Sequence, residues 1–377
     1  MNEENPMQQR TNDPYPCRSV KKRRIALALQ GGGSHGAFTW GVLDRLLAEP
    51  SFEIVGISGT SAGAMNAGIL ADGLRRGGPS LARVDLRNYW EDVGRLPGLA
   101  SLWPRGGQTW HLDSNPAFLW ADMLTRIWSP YQSNPSNYNP LRKLLERIDF
   151  QGLRDDPLAP RVFICATNVR TGLRRVFHNA ELSPEVLLAS ACLPQVYQAV
   201  QIGEDSYWDG GYTGNPALAP LYLETSATDV IVVGINPMER STVPQTARGI
   251  IDRIDEISFN STFMLELGAI AFVEKLMKSA TGPGPARLLY VHGISDEALG
   301  AFGASSKMNN DWSFLRHLHE IGWRAADHWL TENLTAVGDR STVDLSGLVP
   351  QEGGSLTAPS VIKQKQPSIT DAEYRSA

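Results

Sequence analysis

The sequence predicts an α/β fold built on a mostly parallel central sheet. Two strand–glycine turn–helix units fill roughly the first seventy residues, and short apolar runs return further along the chain. The 377 residues are 42% hydrophobic and 20% charged, ordinary usage for a globular chain with one large core.

Residues 1–21 are polar, carry scattered prolines and read as a disordered leader. Ile25 to Leu29 is a five-residue apolar run ended by glycines, which reads as a strand buried on both faces. Phe38, Val42, Leu43, Leu46 and Leu47 then recur at helical spacing until Pro50. Phe52 to Ile57 is a second buried strand, and small residues from Ala62 lead into a second helix. Residues 95–140 hold six prolines with Trp103, Trp110, Trp120 and Trp128, and read as an inserted cap. Strands return at Val162 to Ala166, Val230 to Ile235 and Arg287 to His292. A long helix over 250–277 is expected to be core, and Trp312 to Leu330 to be the final helix. The catalytic domain is thus read as 22–335, and 336–377 as a flexible tail.

Composition excludes several classes of function. A net charge of −5 provides no basic field for nucleic acid. Cys17, Cys165 and Cys192 include no CxxC pair, so neither a disulfide framework nor a cysteine zinc site is expected. His317 and His319 are two apart on a helix and make a poor metal pair. No metal or organic cofactor is expected. The run after Lys21-Lys22-Arg23-Arg24 is too short for a signal peptide, so the chain reads as cytoplasmic and at most peripheral to a membrane.

Three motifs carry the chemistry. Gly59-Thr60-Ser61-Ala62-Gly63 fits G-x-S-x-G between a strand and a helix, the context of a nucleophile elbow. Small neighbours allow the tight turn, and the helix N-terminus favours developing negative charge at Ser61. The bland reading is a small-residue cluster that lets a helix pack on the sheet. Gly31-Gly32-Gly33-Ser34-His35-Gly36 contains G-x-G-x-x-G, but the second strand ends without the carboxylate that binds a ribose. An oxyanion loop, with backbone N–H groups converging on a tetrahedral intermediate, competes with that nucleotide reading. Asp209-Gly210-Gly211 is by itself a hairpin turn, but it also offers a carboxylate base for a serine. His292, after a late strand, is the rival base in a Ser…Asp…His order.

The order glycine loop, G-x-S-x-G, Asp-Gly-Gly resembles the patatin-like phospholipases, over roughly Arg24 to Val233. A further block of that family is similar to Ala189-Ser190-Ala191-Cys192-Leu193-Pro194. The resemblance implies a three-layer α/β/α domain and hydrolysis of lipid acyl esters by a serine–aspartate dyad. It makes Ser61 the nucleophile and Asp209 the base. Gly31, Gly32, Gly33, Ser34 and Gly36 become the oxyanion loop, supported by Gly59, Gly63, Gly210 and Gly211. It departs from the family at His35, where Arg or Lys is usual, and an imidazolium there would favour negative charge at the loop. The substrate is read as a lipid or another acyl ester, with short-chain esters, thioesters and storage polyesters as alternatives. A non-catalytic lipid- or nucleotide-binding module is the alternative of another class. Trp120 and Trp128 are read as lining an acyl pocket, lying at a membrane interface, or packing the insertion onto the domain.

Overall fold

The computed structural model describes residues 22–97, 110, 112, 115–240, 242–279 and 289–348. The leader at 1–21, Trp103 and the tail beyond 348 lie outside the described residues.

Strand β1 (Arg23–Leu29) leads through the glycine loop into helix α1 (Gly36–Leu46). Strand β2 (Phe52–Gly59) leads through the elbow into α2 (Ala62–Arg95), which is broken at Gly77 and Gly78. Short helices α3 (Pro116–Ile127), α4 (Pro130–Ser133), α5 (Leu141–Leu145) and α6 (Phe150–Asp155) follow. Strand β3 (Arg161–Asn168) is followed by β4 (Arg174–Phe177), helix α7 (Pro184–Ser190), β5 (Val200–Ile202) and β6 (Asp205–Asp209). Helix α8 (Ala219–Glu224), β7 (Asp229–Val233), α9 (Ala247–Ser279), β8 (Tyr290–Ile294) and α10 (Trp312–Asn333) complete the order.

The sheet runs β5-β6-β3-β2-β1-β7-β8, with β4 paired to β3. The five strands from β3 to β8 along this path are parallel, as their apolar runs predict. Strands β4, β5 and β6 are antiparallel additions on one side, so the sheet is mixed though mostly parallel. Their short, polar-rich sequences carry no buried-strand signal.

Helices cover both faces. On one, α1 and α10 cross closely where Gly41 faces the His319 carbonyl and Gly322 faces that of Phe38. Phe38, Leu43, Phe314 and Trp329 are buried there with Leu27 and Leu29 of β1. On the other, Phe263, Leu267 and Ala271 of α9 pack with Ala26, Ala28, Val230 and Val232.

Two expectations need correction. Residues 336–348 belong to the folded body rather than to a tail: Val343, Leu345 and Leu348 are buried with α9. Helix α9 is not a core helix, because Ile251, Ile254, Ile257, Phe272 and Leu276 are exposed and only its narrow inner stripe is covered.

Candidate active site

The elbow is strained, and its surroundings hold it. Ser61 has φ 54° and ψ −122°, a conformation that costs about 1–3 kcal/mol for a residue with a side chain. Its amide donates to Ser190 Oγ at 3.0 Å, and Ser190 Oγ–H in turn donates to the Cys165 carbonyl at 2.6 Å. Thr60 Oγ1 donates to the Gly214 carbonyl at 2.7 Å. The first turn of α2 closes through Gly63 N–H to the Thr60 carbonyl and Ala64 N–H to the Ser61 carbonyl. Ser61 therefore stands at a helix N-terminus with its backbone fixed on both sides. Ser190, in the family-like block, supports the elbow amide.

Strand register brings Asp209 to the serine. Gly59, the last residue of β2, pairs with Ile164, and Asp209, the last of β6, pairs with Ala166. Ile164 and Ala166 also pair with β4, so β2 and β6 share the other edge of β3. Where β2 turns away into the elbow, β6 takes its place. Asp209 thus lies two residues beyond Gly59 along that edge, about 7 Å.

The Asp209 carboxylate is fully buried. Its Oδ1 accepts the Gly211 amide at 2.7 Å. Burial pushes its pKa up to about 7, while the Gly211 amide and the Ser61 hydroxyl pull it back down. Its Oδ2 makes no regular hydrogen bond. Gly210 lies against the Cys165 carbonyl and Gly211 against the Phe259 ring, while Gly59 abuts the Gly63 carbonyl.

The glycine loop lies directly on the elbow. A Cβ on Gly31 would stand 2.7 Å from both Ser61 Cβ and the Thr60 carbonyl oxygen. Gly33 has φ 59°, which glycine adopts without strain, and its α-carbon faces the Lys307 carbonyl. Not every amide of the loop is free. Gly31 N–H donates to Asn215 Oδ1 at 2.6 Å. His35 N–H bonds the Gly32 carbonyl, and Gly36 N–H bonds the carbonyls of Gly33 and Ser34. The amides of Gly32, Gly33 and Ser34 have no hydrogen bond among the described residues. Of the five positions expected at an oxyanion hole, Gly31 and Gly36 therefore have their amides engaged, and Gly32, Gly33 and Ser34 do not.

His35 does not act as a charged group at the loop. Its ring is buried against Phe302 and Phe314, and Nε2 pairs with Ser306 Oγ at 2.7 Å. Burial, with Lys307 and Arg240 nearby, pulls its pKa down to about 3, so it is neutral.

His292 is committed elsewhere. It is fully buried in β8, with Nε2 on Asp229 Oδ1 at 2.9 Å and Nδ1 on Thr342 Oγ1 at 3.1 Å. Nε2 joins β8 to β7 and Nδ1 ties the chain after α10 to the sheet, so neither nitrogen is free to serve Ser61.

Trp120 and Trp128 are exposed at 63% and 51%, so they neither line a pocket nor fasten the insertion. Trp110 does fasten it, stacking on Phe314 and His317. Sequence reasoning missed Gln30, Asn215, Asn236 and Lys307, the polar residues around the glycine loop. Asn215 and Asn236 each precede a proline, but so do Asn115, Asn134 and Asn139 in ordinary turns, so that pattern flags nothing.

Among the described residues no cluster of His, Cys, Asp and Glu could hold a metal ion, and no helix is long and apolar enough to cross a membrane.

No curated protein sequence matches the chain significantly. Among solved structures, VipD from Legionella pneumophila is similar at 13% identity over 80% of this chain and 67% of that one, with a TM-score of 0.33. The ExoU–SpcU complex from the type III secretion system of Pseudomonas aeruginosa is similar at 17% identity and a TM-score of 0.29. That match covers 84% of this chain and 63% of the other. Both likenesses are distant. The family model for patatin-like phospholipases matches residues 27–222, a span that includes the glycine loop, the elbow and Asp-Gly-Gly. More than half of the chain fits that model, and the protein belongs to the patatin-like phospholipase family.

Proposed function

We propose that the protein is a serine-dependent hydrolase of lipid acyl esters that works through Ser61 and Asp209 without a histidine. One observation carries the reading: a strained serine at a helix N-terminus faces a buried carboxylate whose pKa is pushed up to about 7.

The chemistry follows from that pairing. Ionised Asp209 takes the proton of Ser61 Oγ as the oxygen attacks the ester carbonyl. Negative charge moves to the carbonyl oxygen, where the free amides of Gly32, Gly33 and Ser34 stabilise it by donating hydrogen bonds. Asp209 then returns the proton to the leaving alkoxide, and an acyl group remains on Ser61. Water, deprotonated by Asp209, attacks the acyl-enzyme; the fatty acid leaves and Ser61 recovers its proton. A carboxylate of ordinary pKa would be a weak base for this step, and burial makes it a better one. Members of this family act on lipids, and the exposed apolar residues of α3 and α9 favour peripheral approach to a lipid surface.

Covalent labelling tests the assignment. A fluorophosphonate is expected to modify wild-type protein at Ser61 alone, and to leave Ser61→Ala unmodified. Asp209→Asn is expected to react at least about 10³-fold more slowly, because nucleophile and base act as a unit. A wild-type protein inert to the probe would make the chain a non-catalytic binding module. Turnover of short esters with none of phospholipids would replace the lipid assignment.

A further inference from the structure

We propose that Asn236 and Lys307 are positioning residues, which lock the peptide between Gly31 and Gly32 so that the Gly32 N–H faces the oxyanion. The proposal rests on the reading of Ser61 as nucleophile and of the glycine loop as the oxyanion site.

The carbonyl of Gly31 and the amide of Gly32 belong to one planar peptide and point in opposite directions. Whatever fixes the carbonyl therefore aims the N–H. A peptide flanked by two glycines has little of its own to resist a flip, since no Cβ restricts it from either side. External contacts must set its direction.

The structure supplies them in a chain. Asn236 Nδ2 donates to the Gly31 carbonyl at 2.7 Å. Lys307 Nζ donates to Asn236 Oδ1 at 2.8 Å. An ammonium has donors only, so it dictates which end of the Asn236 amide faces it. The oxygen must face Lys307, and the NH₂ is left to hold the glycine carbonyl. With a neutral group at 307 the amide could turn over and present its oxygen to the carbonyl, which repels it. The backbone of Asn236 is itself anchored, since the amides of Ile235 and Asn236 both donate to Gln30 Oε1. The preceding peptide is held separately by Asn215 through Gly31 N–H.

Lys307 is suited to this role. Asn236 is its one hydrogen-bond partner among the described residues, and it lies within 4.0 Å of no carboxylate there. Glu256, which acts on it at longer range, is taken up by Arg240 and Arg253. Its carbonyl packs on Gly33, so one residue acts on the loop at two places, directly there and through Asn236 at Gly31. A charge at the head of such a chain also polarises each bond after it, which makes the Gly32 N–H a better donor.

The test is kcat per active site on an activated neutral ester, with sites counted by fluorophosphonate titration. Asn236→Leu and Lys307→Met are each expected to lower kcat about 10-fold, with KM within about twofold, the signature of a contact used in the transition state. Because both act on one peptide, the double variant should be little slower than the slower single. Lys307→Arg keeps the charge and should recover most of the rate. Should Lys307→Met fail to fold, Lys307→Gln carries the same expectation. Normal kcat per titrated site in the single variants, with wild type labelled at Ser61, would overturn the proposal and leave the nucleophile standing. So would losses that multiply in the double variant. A wild type that the probe does not label removes the parent reading and this one together.

Discussion

The loops above the sheet and the outer faces of α3 and α9 divide polar and apolar groups in opposite ways. Around Ser61, Gln30, Asn215, Asn236 and Asp209 are buried, and of their side-chain polar atoms all but Asn215 Nδ2 and Asp209 Oδ2 have a protein partner. On and just after α3 and along α9, Trp120, Ile127, Trp128, Ile254, Phe272 and Leu276 stand exposed, each more than half accessible to solvent. The first region spends stability on fixing a few N–H groups and one carboxylate, whose burial is unfavourable in itself. The second leaves apolar area uncovered, which a single soluble copy gains nothing by doing. A rigid site is what electrostatic stabilisation of a transition state requires. An open apolar surface is what contact with aggregated substrate requires.

Substitutions in the two regions should therefore differ in kind. In the loops, Gly33→Ala has the largest expected effect. It places a methyl group against the Lys307 carbonyl at φ 59°. The backbone must shift to relieve that contact, and a displaced donor there should cut kcat about 10²-fold or more, while melting should shift down measurably. A variant with unchanged kcat and Tm would show that the loop is less tightly set than its contacts indicate. On and just after α3, Trp120→Ala and Trp128→Ala should change stability by no more than about 0.5 kcal/mol, since both residues are more than half exposed. Rates on monomeric short-chain esters should hold, while rates on vesicles should fall severalfold. Equal losses on both substrates would erase the contrast between the regions.

The sequence showed the parallel half of the sheet clearly, because β1, β2, β3, β7 and β8 are apolar runs that lie between helices. Ser61 was equally legible, since small residues between a strand and a helix leave few other readings. The place of Asp209 was not. It depends on β6 taking over the edge of β3 that β2 vacates, and β6 is a five-residue antiparallel strand with three of its residues partly exposed. The glycine loop was recognisable as a turn between a strand and a helix, yet which of its amides remain free depends on Asn215, 184 residues from Gly31. Local pattern carries no trace of such a contact. His35 misled for a related reason: its position in the loop suggested a charge, and only the packing of Phe302 and Phe314 shows it neutral. Along α9 the apolar period was read as core because periodicity reports a face and not what covers it.

The central claim is that a buried aspartate, rather than a histidine, activates Ser61. It is tested most directly by the rate of Ser61 acylation by an activated ester, followed as a burst between pH 5 and 9. Burial raises the pKa of Asp209, so the base is protonated and idle at low pH and becomes available as pH rises. The account predicts a rate that climbs through a single ionisation near 7 and then stays level. It also predicts that Asp209→Asn loses the burst while His292→Ala, where folded, keeps the wild-type profile. A wild-type rate that does not change through pH 7, or the same ionisation retained in Asp209→Asn, would contradict it.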